Sequence, residues 1–340
     1  MYKRQELASL EGKTLKRPVA EVTDANLDDL IMRLRKLGRT WKVVERPAQL
    51  GDRLKISFTS TMDGEPVEDG SEEDIMLELG LGHMIPGFEE GLVGVWAGEE
   101  QRLDLSFPDE YPTEDLRGKP VTFTVQVSEV AEPLLPEVDA EFAKEFGSPD
   151  GDLEALRLDL RRNMERKLKE WIDDEVKRQA MNLLLEANPI DTPEALVLEE
   201  IETLKERVRQ RLRRTDIEFP DSLHRKQAQK RVALGLILGA VVKANHIETD
   251  SQRVREQVEE MALGYEYPQE VIDYYYADEE RLAPVESLIL ESQVVDWVLD
   301  QVTVEDEPTT FEALRELDTF ERMSAAPPPS HREGEGVAKG

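Results

Sequence analysis

The chain has 340 residues, which is enough for two or three domains. Hydrophobic residues make up 39% of it, so buried cores can form and a wholly disordered chain is excluded. The formal net charge of −31 argues against a general nucleic-acid binder, because neutralising phosphates takes clustered lysine and arginine, and favours basic or apolar partners. The absence of cysteine removes disulfides, thiolate zinc sites and cysteine nucleophiles.

No segment predicts export or membrane insertion. The charged residues at the start of the chain are not followed by the apolar stretch of a signal peptide. The longest apolar run, Val232 to Val242, is well short of the roughly 20 residues that cross a bilayer. We therefore expect a cytoplasmic protein with no membrane partner and no direct nucleic-acid partner.

Residues 1–47 are predicted to form a strand and a helix that join a helical body located later in the chain. The strand covers Leu15 to Val19, and Thr23 or Asp24 is the expected N-cap of the helix. The helix carries an apolar stripe with a period of 3.6 residues, formed by Leu27, Leu30, Ile31 and Leu34. So short a helix needs another part of the chain to cover that stripe.

In residues 48–132 the hydrophobic residues recur with a period of two. Leu54, Ile56 and Phe58 alternate with polar residues, and Asp63-Gly64 predicts a hairpin turn. Further alternating runs follow, separated by glycine and proline, up to the run from Val121 to Val127. Several half-buried strands with little helix predict a small antiparallel sheet domain.

Residues 133–312 have a helical pattern, and residues 313–340 are predicted to be a disordered tail. Ser148-Pro149 and Thr192-Pro193 are the expected starts of two helices, because proline is favoured in the first helical turn. The other helices are expected around Val232 to Val242, from Ser251 to Gly264, from Pro268 to about Tyr276 and from Pro284 to about Val302.

The segment from Leu79 to Gly94 carries the chemistry. Its pattern indicates a strand, a glycine-rich bend and one or two turns of helix, with the apolar residues Met84, Ile85 and Phe88 on the bend and the helix. Those residues are therefore predicted to cap the open side of the sheet. With the flanking pieces around Ile56, Asp63, Phe107 and Phe123 in the same order, the segment resembles the FKBP-type prolyl isomerases.

This resemblance implies an apolar cup in which an X–Pro bond is isomerised without a cofactor or a metal. The catalytic residues that it implies are Phe58, Glu68, Ile85, Phe88, Tyr111 and Phe123. The substrate-binding residues that it implies are Val67, Ile75, Met84 and Phe107. Val67 stands where the family usually has phenylalanine, so one wall of the cup is expected to be lower.

The sequence on either side of this segment, over about Leu10 to Leu314, resembles the trigger factor family. The resemblance implies an α+β fold in which a small antiparallel FKBP-like sheet domain is inserted in a discontinuous all-helical chaperone domain. The implied partners are unfolded or nascent polypeptides. The family's ribosome-docking domain, with its Gly-Phe-Arg…Gly-Lys…Pro loop, is expected to be absent, so ribosome docking is assigned to no residue of this sequence.

Two other functions compete with a chaperone that also isomerises proline. In the first, the protein is a non-catalytic holdase with a vestigial isomerase site. In the second, it is an assembly factor for a single client. Metal sites and catalytic triads find no support, because His83, His224, His246 and His331 have no partners at ligand spacing.

Overall fold

The structure is a computed structural model that describes residues 7–212 and 219–324. The side chains of residues 68–69, 211–212 and 320–324 lie outside the description, as does the start of the predicted segment 1–47. The chain divides into two compact units. We call residues 23–162 the sheet unit, and the described parts of residues 7–22 and 163–324 the helical unit.

The described residues form strands and helices in the following order. The strands are β1 (Thr14–Val19), β2 (Thr40–Val43), β3 (Arg53–Met62), β4 (Glu65–Glu78), β5 (Glu100–Ser106), β6 (Pro120–Leu134) and β7 (Thr303–Pro308). The helices are α1 (Asp24–Leu37), α2 (Phe88–Gly91), α3 (Ala140–Glu145), α4 (Leu153–Ala187), α5 (Glu194–Leu212), α6 (Asp221–Asn245), α7 (Ser251–Ala262), α8 (Pro268–Tyr276), α9 (Glu279–Gln301) and α10 (Phe311–Ser324). The mixed content confirms the α+β class.

The sheet unit is built on an antiparallel sheet of five strands in the order β2-β6-β3-β4, with β5 also paired to β6. The end of β6 pairs with β2 and its beginning pairs with β5. The predicted hairpin is confirmed, because Met62 pairs with Glu65 across the turn at Asp63-Gly64. The sheet begins at Thr40 in β2, ahead of the predicted boundary at residue 48.

The core of the sheet unit follows the predicted alternation. Leu54 and Ile56 of β3 are fully buried, as are Val125 and Val127 of β6. Removing apolar side chains from water is the main favourable term in folding, and each of these residues contributes on the order of 1.5–3 kcal/mol. The buried side chains therefore hold one face of the sheet in place. This fixes the positions of the neighbouring residues on β3 and β6.

Helix α1 begins as predicted and lies with the sheet unit. Thr23 is the N-cap: its Oγ1 accepts a hydrogen bond from the Asn26 backbone N–H at 3.3 Å, while Asn26 Oδ1 accepts one from the Thr23 N–H at 2.8 Å. Along the helix, Arg157 of α4 bonds Asp28 at 2.9 Å and Arg35 donates to the Pro136 carbonyl at 2.8 Å. The segment that follows the sheet thus supplies polar partners for α1.

The helical unit is discontinuous in sequence, as predicted, but it is not all-helical. Strand β1 pairs in parallel with β7, with Thr14 opposite Thr303 and Val19 opposite Pro308. Leu15 of β1 is fully buried in a core with Leu184 of α4 and Val298 of α9. The expectation of an all-helical body was wrong because the partner of β1 lies almost at the other end of the described chain.

Two helices begin at other residues than the sequence predicted. Helix α4 begins at Leu153 and not at Ser148, because Asp152 Oδ1 accepts hydrogen bonds from the backbone N–H groups of Glu154 and Ala155. Helix α9 begins at Glu279, capped by Asp278, so Pro284 lies inside it. In both cases an aspartate cap determines the start, and the proline does not.

The predicted tail is corrected at its beginning. Residues 311–324 form helix α10, in which Phe311 and Leu314 are buried. The Phe311 ring packs on Trp171 of α4, with ring centroids 5.1 Å apart. Residues 325–340 lie outside the described residues. Over the described ranges, no helix is both long enough and apolar enough to cross a membrane.

Candidate functional site

A hollow of about 1140 Å³ opens on one face of the sheet unit. Its floor holds Phe58 of β3 and Phe123 of β6. The loop between β4 and α2 contributes Met84 and Ile85 to one side. The connection between β5 and β6 contributes Phe107, Tyr111 and Leu116, and the β3–β4 hairpin contributes Met62, Pro66 and Val67. Apolar side chains from several parts of the chain therefore surround one opening, and the charged side chains described below complete its lining.

Seven of the predicted site residues line this hollow, namely Phe58, Val67, Met84, Ile85, Phe107, Tyr111 and Phe123. They come from five separate stretches of the chain, namely β3, β4, the loop before α2, the β5–β6 connection and β6. The sheet brings Phe58 and Phe123 together, because β3 and β6 are paired and Ser60 lies opposite Phe123. Their ring centroids are 5.7 Å apart with the rings nearly perpendicular, which is a favourable edge-to-face arrangement.

Phe88 was predicted as a catalytic residue, but its side chain is fully buried and does not line the hollow. Its ring meets Phe123 edge-on at 5.1 Å and Phe58 at 5.8 Å. Phe88 therefore supports the two floor rings from behind. The sequence could not separate the two roles, because a supporting ring and a lining ring have the same local pattern.

Two predicted residues remain, Ile75 and Glu68. Ile75 of β4 packs against the core of the sheet unit and is absent from the lining. Glu68 also belongs to β4, but its side chain lies outside the described part of the structure.

Tyr111 is held in place through both its ring and its backbone. Its ring packs on Phe107 with centroids 4.6 Å apart, and its backbone N–H donates to the Pro108 carbonyl at 3.1 Å. Arg117 Nε donates to the Tyr111 carbonyl at 2.7 Å. Among the described residues the Tyr111 hydroxyl has no hydrogen-bond partner, so it is available to a molecule in the hollow.

Glu89 is a structural centre of the site that the sequence did not single out. Its buried carboxylate accepts four backbone hydrogen bonds: Oε2 from Gly80 at 2.7 Å and Gly82 at 3.0 Å, and Oε1 from His83 at 2.7 Å and Met84 at 3.3 Å. Gly82 adopts a positive φ of 68°, which lets the loop curl around the carboxylate. One side chain thus fixes the loop that presents Met84 and Ile85.

Burial raises the pKa of the Glu89 carboxyl, but the four backbone N–H donors outweigh it and hold the pKa below its ordinary value. The donors favour the charged form because each N–H points its positive end at the carboxylate. Glu89 therefore stays ionised inside the domain. A glutamate just after a glycine-rich bend, where backbone N–H groups need an acceptor, is the signal that sequence reasoning could have used.

Sequence reasoning also missed the charged part of the lining. Asp63, Glu65, Glu72 and Asp115 lie around the hollow together with His83. Asp63 and Glu65 belong to a turn that carries the family resemblance, and no local pattern marks Glu72 or Asp115, so the sequence does not show that the four meet. In the described residues no group of three histidine, aspartate or glutamate side chains is arranged to hold a metal ion.

Comparison with known proteins gives matches in both halves of the chain. Residues 44–128 match the family model of the FKBP-type peptidyl-prolyl cis-trans isomerase, and residues 152–300 match that of the bacterial trigger factor protein C-terminus. A solved structure described as "Promiscuous Substrate Recognition in Folding and Assembly Activities of the Trigger Factor Chaperone" has a TM-score of 0.43 at 18% identity, covering 87% of this chain and 72% of that one. The crystal structure of FkpA from Escherichia coli has a TM-score of 0.22 at 18% identity, covering 32% of this chain and 59% of that one.

The two family models follow each other in the order that the sequence predicted. The FKBP-type model covers the strands that surround the hollow, and the trigger factor C-terminus model covers most of the helices from α4 to α9. An FKBP-type domain ahead of this C-terminal region is the arrangement that the resemblance implied. The chain therefore contains an FKBP-type domain followed by a trigger factor C-terminal region.

Proposed function

We propose that this protein binds non-native polypeptides and isomerises their X–Pro bonds in the hollow of the sheet unit. The observation that carries the proposal is an aromatic floor, Phe58 and Phe123, inside a domain that matches the FKBP-type isomerases. The proposed site residues are those of the lining named above, with Phe88 and Glu89 as positioning residues. The proposed place of action is the cytoplasm.

The reaction needs neither an acid nor a base. Rotation about a peptide bond has a barrier of about 18–20 kcal/mol, because amide resonance is lost at the midpoint. The twisted amide is less polar than the planar one, so a hollow with an aromatic floor favours it over water. A thousandfold acceleration requires about 4 kcal/mol of preferential stabilisation. In this proposal the prolyl ring rests on Phe58 and Phe123, and the Tyr111 hydroxyl donates a hydrogen bond to a substrate carbonyl.

Val67 sets a limit on this stabilisation. It is half-buried and lines the hollow on the β4 side. Phenylalanine, which the family resemblance implies at this position, would add a larger apolar wall. A less enclosed prolyl ring keeps more contact with water. We therefore propose that isomerisation is slower here than in a hollow with phenylalanine at this position.

Tyr111→Phe is expected to lower kcat/KM for a leucyl-proline peptide by about tenfold, because one hydrogen bond to the twisted amide, worth about 1.4 kcal/mol, is lost. The ring on Phe107 is kept, so Tm should change little. Exchange spectroscopy by NMR measures the rate without a coupling protease. Tyr274→Phe, at an exposed position in the helical unit, is the matched control and should leave the rate unchanged.

If the unmodified protein does not accelerate the peptide at all, the non-catalytic holdase is the correct alternative. A loss of rate in Tyr274→Phe as large as in Tyr111→Phe would instead show that the assay does not report on the hollow.

The helical unit supplies the proposed surface for non-native chains. Around the connection from α7 to α8, Leu263 is 78% exposed, Tyr265 is 62% exposed and Tyr267 is 60% exposed. Large apolar side chains held in water at neighbouring positions are typical of binding surfaces. Weak contacts of this kind suit many unrelated partners, since they require no fixed partner sequence.

Leu263→Ser combined with Tyr267→Ser is expected to raise the aggregation of a denatured client several-fold, because the exposed apolar area is reduced. Light scattering during dilution of the client from denaturant measures it. Leu37→Ser, at a 76% exposed leucine of the sheet unit, is the control. Equal protection by all three proteins would contradict this surface, and retention of one single partner from many would favour the assembly factor.

A further inference from the structure

The floor of the hollow contains a hydroxyl group as well as two aromatic rings. Ser60 of β3 lines the hollow, and the residue is buried, with 4% of its surface exposed. Successive side chains of a strand point to opposite faces of the sheet, so Phe58, Ser60 and Met62 share one face. All three line the hollow, whereas Thr59 and Thr61 between them do not. The Ser60 side chain therefore faces the hollow.

Ser60 lies beside both rings of the floor. It is paired with Phe123 across β3 and β6, and the Cβ atoms of such a cross-strand pair are about 5 Å apart. Phe58 is two residues away on the same face, which corresponds to about 7 Å along the strand. A prolyl ring that rests on Phe58 and Phe123 is thus next to the Ser60 hydroxyl.

Gly70 of β4 borders the hydroxyl on the other side. A Cβ atom placed on Gly70 would lie 2.1 Å from Ser60 Oγ and 2.7 Å from Val67 Cβ, so only glycine allows this approach of the backbone. Gly70 and Val67 also line the hollow. The Ser60 hydroxyl therefore lies between the aromatic floor and the β4 side of the hollow.

Within the described residues the Ser60 hydroxyl forms no hydrogen bond. Other serines of β3 and β6 do have partners: Ser57 Oγ accepts a bond from the Asp74 N–H at 3.0 Å, and Ser128 Oγ donates to the Lys55 carbonyl at 2.9 Å. A buried hydroxyl without a partner costs free energy, because it has lost its hydrogen bonds to water. Since Ser60 faces the hollow, a molecule bound there can supply the missing partner.

Resting on the proposed isomerase function, we infer that the Ser60 hydroxyl donates a hydrogen bond to the prolyl nitrogen of the twisted X–Pro bond. In a planar amide the nitrogen lone pair is delocalised, so the nitrogen is a poor acceptor. Rotation removes this resonance and returns the lone pair to the nitrogen, which then accepts a hydrogen bond. Tyr111 and Ser60 thus act on the oxygen and on the nitrogen of one amide. The hydroxyl proton stays on Ser60, and no covalent bond forms or breaks.

A bond that exists at the transition state alone raises kcat and leaves substrate binding unchanged. Ser60→Ala and Ser60→Gly are therefore both expected to lower kcat about tenfold at an unchanged KM, because each removes one hydrogen bond. NMR exchange spectroscopy with the full chain and the leucyl-proline peptide measures both constants, and Tm shows that each variant is folded.

The two variants separate the hydroxyl from the packing of the side chain. Alanine keeps the Cβ atom beside Phe123 and glycine removes it, so an effect of packing differs between them, whereas loss of the hydroxyl is common to both. Ser71→Ala is the matched control and should leave kcat unchanged. Ser71 is an exposed serine of β4 that pairs with Thr59 and does not line the hollow.

The outcomes separate this inference from the proposed function. An unchanged kcat in Ser60→Ala, while Tyr111→Phe still lowers kcat/KM, would overturn the role of Ser60 and leave the isomerase intact. A raised KM at constant kcat, or a loss in one of the two folded variants alone, would show that Ser60 shapes the hollow, and would also overturn it. No acceleration of the peptide by the unmodified protein would overturn the proposed function and this inference with it.

Discussion

Replacing Phe88 by alanine is expected to destabilise the sheet unit by about 3–5 kcal/mol. The ring is fully buried and meets Phe58 and Phe123 edge-on, so alanine leaves a cavity directly behind the floor of the hollow. Its removal also frees the two floor rings to shift. Isomerase activity should therefore disappear as the folded structure is lost. Denaturant unfolding followed by circular dichroism measures the decrease in the free energy of unfolding.

Ile85→Ala is the matched comparison, because Ile85 lines the hollow and is only half-buried. It is expected to lower kcat/KM while costing about 1–2 kcal/mol of stability, less than a fully buried side chain. If Phe88→Ala instead lost activity with an unchanged free energy of unfolding, Phe88 would contact the substrate directly, and its assignment as a supporting ring would be wrong.

Replacing Glu89 by glutamine is expected to destabilise the sheet unit by about 2–4 kcal/mol at neutral pH. Glutamine has one carbonyl oxygen where the carboxylate has two acceptors, and its NH₂ group faces backbone N–H donors. Hence at least two of the four N–H groups of Gly80, Gly82, His83 and Met84 lose their partner inside the domain. Glu90→Gln is the control: this exposed neighbour accepts a single bond from the Gly87 N–H at 3.1 Å, and its change should stay below about 1 kcal/mol.

The difference in stability between the unmodified protein and Glu89→Gln depends on pH in a definite direction. The backbone donors hold the pKa of Glu89 below its ordinary value in the folded protein, whereas the unfolded chain has the ordinary value of about 4.3. Below that value the unfolded state binds more protons, so the contribution of Glu89 is complete above it and is lost as the pH falls through the folded pKa. Unfolding by denaturant between pH 7 and about pH 3 measures the difference in stability. A difference that stays constant would contradict an ionised Glu89 carboxylate held by the four backbone N–H donors.

Local signals predicted a large part of the fold. The alternation around Leu54 and Ile56 predicted strand β3, and Thr23 predicted the start of α1. The glycine-rich bend predicted the loop and the short helix α2. These features depend on residues within a few positions of each other, which is why their patterns can be interpreted without knowing the fold.

Other features could not be predicted, because each depends on residues that are remote in the sequence. The pairing of β1 with β7 joins two short extended segments from opposite ends of the described chain, and neither predicts its partner. Phe88 has the local pattern of a lining residue, and its burial follows from the floor rings of β3 and β6. The lining of the hollow likewise collects carboxylates from the hairpin turn, from β4 and from the β5–β6 connection, namely Asp63, Glu65, Glu72 and Asp115.

The period and the glycine bend, which are local properties of the chain, determined the class of the fold from the sequence alone. The family resemblance determined the order of the two matched domains and seven residues of the hollow. The tertiary structure decided which ring supports and which ring lines, and which carboxylate is buried and which is exposed. The physical reason is that burial and pairing are set by the surroundings of a side chain. Those surroundings come from strands and loops that the sequence places many residues away.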